Sequence, residues 1–533
     1  MTPADATTTP TYKKGIFSHA KTDISAGVVV FLIALPLCLG ISLASGAPLF
    51  AGIIAGIIGG IVVGFLSGAQ INVSGPAASV ALVFLTAITT LGSYEAVLTA
   101  AIVAGVIQII LGYIRAGTIA YFFPSSMIKG ILASIGLILI INQVPHAFGY
   151  TGDRLFGRME HGLYENIVGA FSYIVSNIST GATIITLVSL VIIFIWDQPS
   201  LKKYSFFKLV PSALIAVIVS IFINQLYARY FPEMVLSGKS LVQLPVAGSF
   251  TEFLSFFTFP DFSALTNPLL YQVALSIAFI ASLESLLSTE AGDKLDPYKR
   301  KTSTNRELKA QGIGNIISSS IGGLPVTAVI VRTSANVTAG GRTKLSTIMH
   351  GTIMLICVVT IPRVLNMIPL PALSAVLFVV GYRLTSFTLF RQMYRLGKRH
   401  FIPFVATILA VLFTNLITGI MIGGGVAIFL ILRDNYKTPF FIDRKSHHEG
   451  ENINLTLSEE VTFLNKASIM LTLDHVAPNS EVVIDASRSV NIDDDVLEIL
   501  HEFKSNAQYK NIKITTIDLD RHFAKSKFIN AAV

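Results

Sequence analysis

Fourteen stretches of this chain can be read as membrane segments, and that one feature removes most soluble folds from consideration. A bilayer core is crossed by about 20 mainly apolar residues, and a lipid-exposed backbone there must satisfy its own hydrogen bonds. Eleven runs are plainly apolar, among them 27–44, 49–66, 96–114, 127–141 and 272–287. Three are irregular: 73–90, 308–321 and 322–341. Charge supports the reading. Only 13% of the 533 residues are charged, against about 25% in soluble domains. Residues 441–533 hold 25 of the 70 charged residues, with an acidic excess, so the net +8 comes from a sparse, basic, apolar body. Those basic residues are not gathered on a polar, aromatic-interleaved surface, so no nucleic-acid partner is expected. Cys38 and Cys357 lie in apolar runs and give neither a disulfide framework nor a zinc site. No metalloprotease, nucleotide-binding P-loop or serine-hydrolase motif is present, so no enzyme and no cofactor are expected.

The loops orient the segments. Lysine and arginine concentrate on cytoplasmic loops. Here 197–208, 290–309, 342–344 and 383–400 are the basic ones, while 146–180 (Arg154, Arg158) and 228–267 are longer and poorer. Both termini are therefore expected in the cytoplasm. The polar start, 1–21, carries Lys13, Lys14 and Lys21, and the run after it reads as an uncleaved first span. The expected organisation is this N-terminal segment, a transport domain over 22–434, a linker over 435–450 and a small domain over 451–533.

Two irregular segments repeat each other. Val73-Ser74-Gly75-Pro76 opens one and Gly322-Gly323-Leu324-Pro325 the other, 249 residues apart from proline to proline. Asp23 precedes the first span and Pro268 the eighth, 245 residues apart. The domain thus divides into repeats of about 22–228 and 268–434, seven segments each. Seven is odd, so the second repeat is inverted. Inverted repeats with matched, broken segments mark secondary transporters, whose half-helix N-termini face the substrate.

The chemistry suits an anion. Proline fits the first helical turn, so Gly75-Pro76-Ala77-Ala78-Ser79 and Leu324-Pro325-Val326-Thr327 read as two helix starts. Their unpaired N–H groups carry partial positive charge. Gly75, Ala77, Ala78, Ser79, Val326 and Thr327 are the candidate anion-binding residues. Arg332, seven residues past Pro325, adds positive field; the alternative is a structural pair. Glu284 is the acidic residue inside the eighth span, and Ser288 shares its helix face. Together they suggest a sodium ligand set or a proton carrier. The alternative is that Glu284 neutralises Arg332. Pro36 is expected to kink the first span. Gly52, Gly56, Gly59, Gly60 and Gly64 form a packing stripe. Cys38 reads as a packed thiol, and His350 as interfacial. In the tail, 468–473, 481–485 and 511–517 read as strands, 494–504 as a helix, and Asp493-Asp494-Asp495 as its solvated N-terminus, with a cation site as the alternative.

Several ordered motifs resemble the SulP family of inorganic anion transporters. They are Lys21-x-Asp23-x-x-Ala26-Gly27, Ala34-Leu35-Pro36, Val73-Ser74-Gly75-Pro76, Glu307-Leu308-x-x-Gln311-Gly312-x-Gly314-Asn315, Gly322-Gly323-Leu324-Pro325 and Arg332-Thr333-x-x-Asn336. The tail resembles a shortened STAS domain through Asp485-Ala-Ser487 and Ile492-Asp493. The resemblance implies a 7+7 inverted-repeat helical fold, a core domain moving against a gate domain, a cytoplasmic α/β STAS-like tail and a homodimer. It implies an anion site between the third and tenth segments. Glu284 matches the position of a sodium-ligating aspartate in the bicarbonate-transporting members, and Ser288 a hydroxyl ligand. Ile330 stands where those members have threonine, so the ligand set departs there. Arg332 matches the arginine that shapes the anion site's field. Pro36-Leu37 and Ile41 place the chain nearer the bacterial branch. The expectation is a secondary active transporter of bicarbonate or sulfate, coupled to sodium or protons, in the bacterial inner (plasma) membrane. A passive exchanger or channel, and a nucleobase permease, are the alternatives.

Overall fold

The computed structural model describes residues 15–117, 125–150, 178–204, 206–207, 210–414, 416–437, 440–442, 452–461, 469–470, 472–473 and 476–525. Lys13, Lys14, Arg154, Arg158 and most of the 435–450 linker lie outside these. Residues 1–396 with 404–423 form one compact unit, and 397–403 with 424–533 form a second.

Fourteen helices stand where fourteen segments were expected. The first seven are α1 (Ala20–Ser45), α2 (Leu49–Leu66), α3 (Ala78–Leu91), α4 (Tyr94–Tyr113), α5 (Ser125–Ala147), α6 (Thr180–Trp196) and α7 (Ser212–Tyr230). The second seven are α8 (Pro268–Leu295), α9 (Thr304–Ser320), α10 (Ile330–Thr338), α11 (Lys344–Thr360), α12 (Leu370–Leu384), α13 (Lys398–Phe413) and α14 (Leu416–Lys437). Strand β1 (Ser74–Gly75) precedes α3, and strand β2 (Thr327–Ala328) precedes α10. Among the described residues, seven helices are long and apolar enough to cross a bilayer, and four shorter ones are apolar. The broken segments are the short ones. An extended run replaces part of each helix, leaving 14 residues in α3 and 9 in α10.

Local chemistry sets many boundaries. Side-chain oxygens of Ser93, Ser179, Asn267, Ser303 and Thr343 cap α4, α6, α8, α9 and α11 by accepting first-turn N–H groups. Helix α1 stays helical through Pro36. A π-helical turn, Gly59–Val63, interrupts α2 beside β1. A Cβ on Gly59 would lie 2.5 Å from the Ser74 carbonyl oxygen, so glycine there lets the strand reach the helix. The glycine stripe of α2 is a packing surface, as expected: Gly56 lies against Met354 and Cys38, and Gly60 against Gly351.

The packing repeats itself with a shift of seven helices. Helix α1 packs on α11 as α8 packs on α4; α2 meets α11 as α9 meets α4. Helix α1 touches α10 as α8 touches α3, while α5 and α12 pack on each other. The strands pair across the repeats, antiparallel, with Ser74 opposite Ala328 and Gly75 opposite Thr327. A contact pattern that maps onto itself when the halves are exchanged is what an internal two-fold produces. Helices α1–α4 and α8–α11 form the group around the strand pair, and α5–α7 pack with α12.

The second unit carries a four-stranded sheet in the order β3 (Phe440–Ile442), β4 (Asn452–Leu457), β6 (Glu481–Asp485), β8 (Lys513–Ile517). The β3–β4 pair is antiparallel and the other two are parallel. A smaller pair joins β5 (Glu460–Val461) to β7 (Asn491–Ile492). Val496, Leu497 and Leu500 of α15 (Asp494–Asn506) are buried with Val482 and Ile484 of β6. Asp493 caps α15 by accepting the Asp495 N–H at 3.0 Å, so the acidic triplet is a helix start. One expectation fails here. Residues 469–470 and 472–473 are helical, where the run 468–473 suggested a strand. A short apolar run does not by itself separate the two.

Candidate functional site

The two proline segments meet, but neither proline opens a helix. The β1–β2 pair occupies the backbone just ahead of each helix, and the helices begin only after it. Helix α3 starts at Ala78 with Ala77 as its N-cap, so Pro76 stands outside the first turn. Helix α10 starts at Ile330, three residues beyond Thr327. This corrects the expectation that Val326 and Thr327 form a helix start. The Val326 N–H donates to Asn315 Oδ1 at 2.5 Å, the Ala328 N–H to Ser285 Oγ at 3.2 Å, and the Val329 N–H to the Val73 carbonyl at 3.0 Å. Thr327 keeps a buried hydroxyl with no partner among the described residues.

Both half-helices lack a side-chain cap. Ala77 and Val329 hold the N-cap positions and have no oxygen to offer. The first intrahelical bonds come from the Ala81 N–H to Ala77 and from the Thr333 N–H to Val329. The N–H groups of Ala78, Ser79 and Val80, and of Ile330, Val331 and Arg332, thus precede any intrahelical bond. Five helices of this unit are capped by serine, threonine or asparagine, while α1, α2, α7 and α12 also lack a side-chain cap, so it is the meeting of the two half-helix ends at the strand pair that sets them apart. Such ends favour a negative guest.

Arg332 is fully buried. Its Nη2 donates to the Pro76 carbonyl at 3.4 Å and to Cys38 Sγ at 3.5 Å, both long contacts. Its Nε and Nη1 have no partner among the described residues, and no carboxylate there pairs with it. A Cβ on Gly75 would overlap Nη1, so a larger residue there would displace the flexible end of the arginine from β1. Cys38 is a buried thiol on α1 that also faces this guanidinium.

Glu284 does not neutralise Arg332. Its Oε2 accepts a hydrogen bond from Ser79 Oγ in the first turn of α3. Ser288, one turn further along α8, is buried. Glu284, singled out for cation coupling, and Ser79, singled out for the anion, are therefore in direct contact. His350 is not interfacial: it is fully buried, and both ring nitrogens are without a partner among the described residues.

Behind the strands lies a polar layer that the sequence did not signal as functional. Helix α9 presents Glu307, Gln311 and Asn315 at successive turns, all fully buried. Glu307 accepts from Ser67 Oγ and, at 2.8 Å, from Gln311 Nε2. Gln311 Nε2 also reaches Ser74 Oγ at 2.9 Å, holding β1. Asn315 holds β2 through Val326, and its Nδ2 donates to Gln108 Oε1 at 2.6 Å. Gln108 Nε2 in turn donates to Ser282 Oγ at 3.2 Å. Polar residues every four positions in a helix with no apolar face were the available signal.

The arrangement offers uncapped N–H groups, a hydroxyl without a partner and a buried cation without a counter-ion among the described residues, with one carboxylate at the edge. It can hold a compact anion without covalent chemistry. Comparison with known proteins agrees in kind. The family model described as "Sulfate permease family" matches residues 21–407. The Bacillus subtilis protein named "Putative sulfate transporter YvdB" is 24% identical over 508 residues, covering 93% of this chain and 91% of that protein. "Bicarbonate transporter BicA" of a Picosynechococcus species is 24% identical over 454 residues, 83% of this chain and 76% of its own. The solved murine Solute Carrier 26 family member A9 anion transporter, in its inward-facing state, superimposes with a TM-score of 0.77 at 16% identity, over 97% of this chain and 89% of that one.

Proposed function

The chain belongs to the sulfate permease family, and from that premise we propose that it is a secondary active transporter of sulfate or bicarbonate, coupled to sodium or protons. Relatives carrying sulfate and bicarbonate names support the substrate class. The observation that carries the reading is Arg332, buried with no carboxylate partner among the described residues beside two uncapped helix ends. An unpaired buried cation is costly to keep. A bound anion relieves that cost and adds charge-assisted hydrogen bonds.

In this reading the anion sits at Ala77, Ala78 and Ser79 on one side and at Thr327 and the start of α10 on the other, with Gly75 giving the guanidinium room. Val326 acts from behind, as the residue through which Asn315 holds β2. Glu284 and Ser288 take the coupling cation. The helices α1–α4 with α8–α11 move as the core domain, and α5–α7 with α12–α14 form the gate, giving alternating access. The protein sits in the plasma membrane as a homodimer, with both termini and the STAS-like tail in the cytoplasm.

The test is labelled uptake of sulfate, bicarbonate and chloride into proteoliposomes under imposed sodium and pH gradients. Uptake of one anion driven by one cation gradient is expected, and Glu284→Gln should lose that drive. Flux indifferent to both gradients would instead identify a passive exchanger or channel.

A further inference from the structure

One hydroxyl on α3 has two claimants. Ser79 Oγ donates to Glu284 Oε2, and the residue's place in the first turn of α3 sets it among the open N–H groups of the anion site. A serine hydroxyl has a single proton to donate. While Glu284 is a bare carboxylate, that proton is committed to it. The carboxylate's charge then stands next to the place an anion would take. We infer that Ser79 is the coupling residue between the two sites: a sodium ion or proton on Glu284 releases the Ser79 hydroxyl to the anion and cancels the repelling charge. Anion and cation then bind cooperatively, through one side chain and without a long-range conformational path. The inference rests on the reading of the chain as a cation-coupled anion transporter.

The surroundings leave this role to Ser79. Helices α3, α4, α9, α10 and strand β2 pack on α8. Their ionisable side chains are Tyr94, Glu95 and Tyr113 on α4, Arg306, Glu307 and Lys309 on α9, and Arg332 on α10; α3 and β2 have none. Tyr94 donates to the Gly322 carbonyl, Arg306 to the Leu66 carbonyl, and Glu307 accepts from Ser67 and Gln311. Lys309 lies over the Tyr113 ring. Glu95 begins α4 and Arg332 contacts Pro76 and Cys38. None of these pairs with Glu284 among the described residues. On α8 itself, Glu290, Asp293 and Lys294 lie beyond the next turn, with Lys294 bound to Glu290 and Asp293 to Thr302, and Tyr271 bonds the Leu265 carbonyl.

Moving one charge-assisted hydrogen bond from carboxylate to anion corresponds to roughly a 10- to 100-fold change in anion affinity. Linkage makes the effect reciprocal in binding. The experiment uses the full chain in proteoliposomes, with labelled sulfate and bicarbonate as probes. Apparent KM is measured at low and saturating sodium, and at low and high proton concentration. The unmodified protein should show a KM that falls about 10- to 100-fold as one cation saturates. Ser79→Ala should flatten that dependence, Ser79→Thr should keep it, and Glu284→Gln should abolish it. A serine needed only for packing would change the maximal rate and leave the dependence in place, which overturns the inference. If the unmodified protein transports the anion with no cation dependence, the coupled reading fails and this inference with it. If dependence exists and Ser79→Ala retains it in full, only this inference fails. Should Ser79→Ala not fold, calorimetry on the unmodified protein decides: sulfate or bicarbonate must tighten cation binding by the same factor, and unchanged cation affinity refutes the role.

Discussion

Replacing Arg332 with methionine should move stability and transport in opposite directions. The two side chains are similar in volume, although arginine reaches two atoms further, and the residue is fully buried. In the anion-free protein Nε and Nη1 have no partner among the described residues. Each unsatisfied donor costs about 1–3 kcal/mol. The two hydrogen bonds that methionine cannot make, at 3.4 and 3.5 Å, are long and contribute less than about 1 kcal/mol each. Arg332→Met should therefore stabilise the anion-free protein by about 1–4 kcal/mol, the range found when buried ionic groups give way to packed apolar ones. Transport should suffer. Two charge-assisted bonds at about 1.5–3 kcal/mol each correspond to a KM raised by roughly 10²–10⁴. Thermal unfolding in detergent without anion reads the first effect, and labelled uptake in proteoliposomes reads the second. A further arm adds sulfate: at 100 times its Kd it should stabilise the unmodified protein by about 2.7 kcal/mol, and the variant hardly at all. A variant that unfolds at lower temperature yet keeps its KM would refute the reasoning, because it would make Arg332 a structural anchor.

Three other outcomes follow from the same geometry. Asn315→Leu orphans the Val326 N–H and the Gln108 Oε1; it should cost about 2–6 kcal/mol in unfolding free energy, measurable by denaturation, and should weaken uptake because β2 is no longer held in position. Asp23 is fully buried and accepts from the Arg342 N–H, the Thr343 N–H and the Thr343 hydroxyl at the start of α11; Asp23→Ala orphans the two N–H groups and should destabilise by about 2–6 kcal/mol, while Asp23→Asn, which keeps one acceptor, should cost less, as thermal unfolding in detergent would read. In the second unit, the hydroxyl and then the backbone N–H of Ser487 hold the Asp485 carboxyl below its ordinary value. A depressed carboxylate stabilises fully above its unfolded pKa and loses that contribution as pH falls through its folded one, so Ser487→Ala should raise the Asp485 titration seen by NMR and shift acid unfolding of this unit to slightly higher pH.

What the sequence could and could not reveal divides along range. The fourteen segments were legible because each depends on its own apolar run, and the inverted repeat because 249 residues separate two matched prolines. The helix starts were misplaced because the deciding interaction is non-local. Strand β1 pairs with a strand from the other repeat, and that pairing holds the chain extended up to Pro76 and beyond Pro325. The Ser79–Glu284 contact joins α3 to α8 and leaves no trace in spacing. His350 was misread for a similar reason. Its neighbours in sequence include a basic loop, while the helix that carries it packs on α1 and α2. The α9 ladder was visible as Glu307, Gln311 and Asn315, yet its purpose needed both strands in view.

The two-residue strand pair also sets when the protein can become functional. Ser74 and Ala328 belong to opposite halves of the chain. At about 5–20 residues per second, synthesis takes roughly 13–50 s to pass from one to the other. During that interval the first half-helix has no strand to lean on, and no arginine lies behind it. Each half of the site is an unfinished surface until the other emerges. The proposed anion site therefore cannot form before the chain has emerged past Arg332, and a chain cut anywhere before that residue would hold membrane helices without the arginine the site is proposed to need.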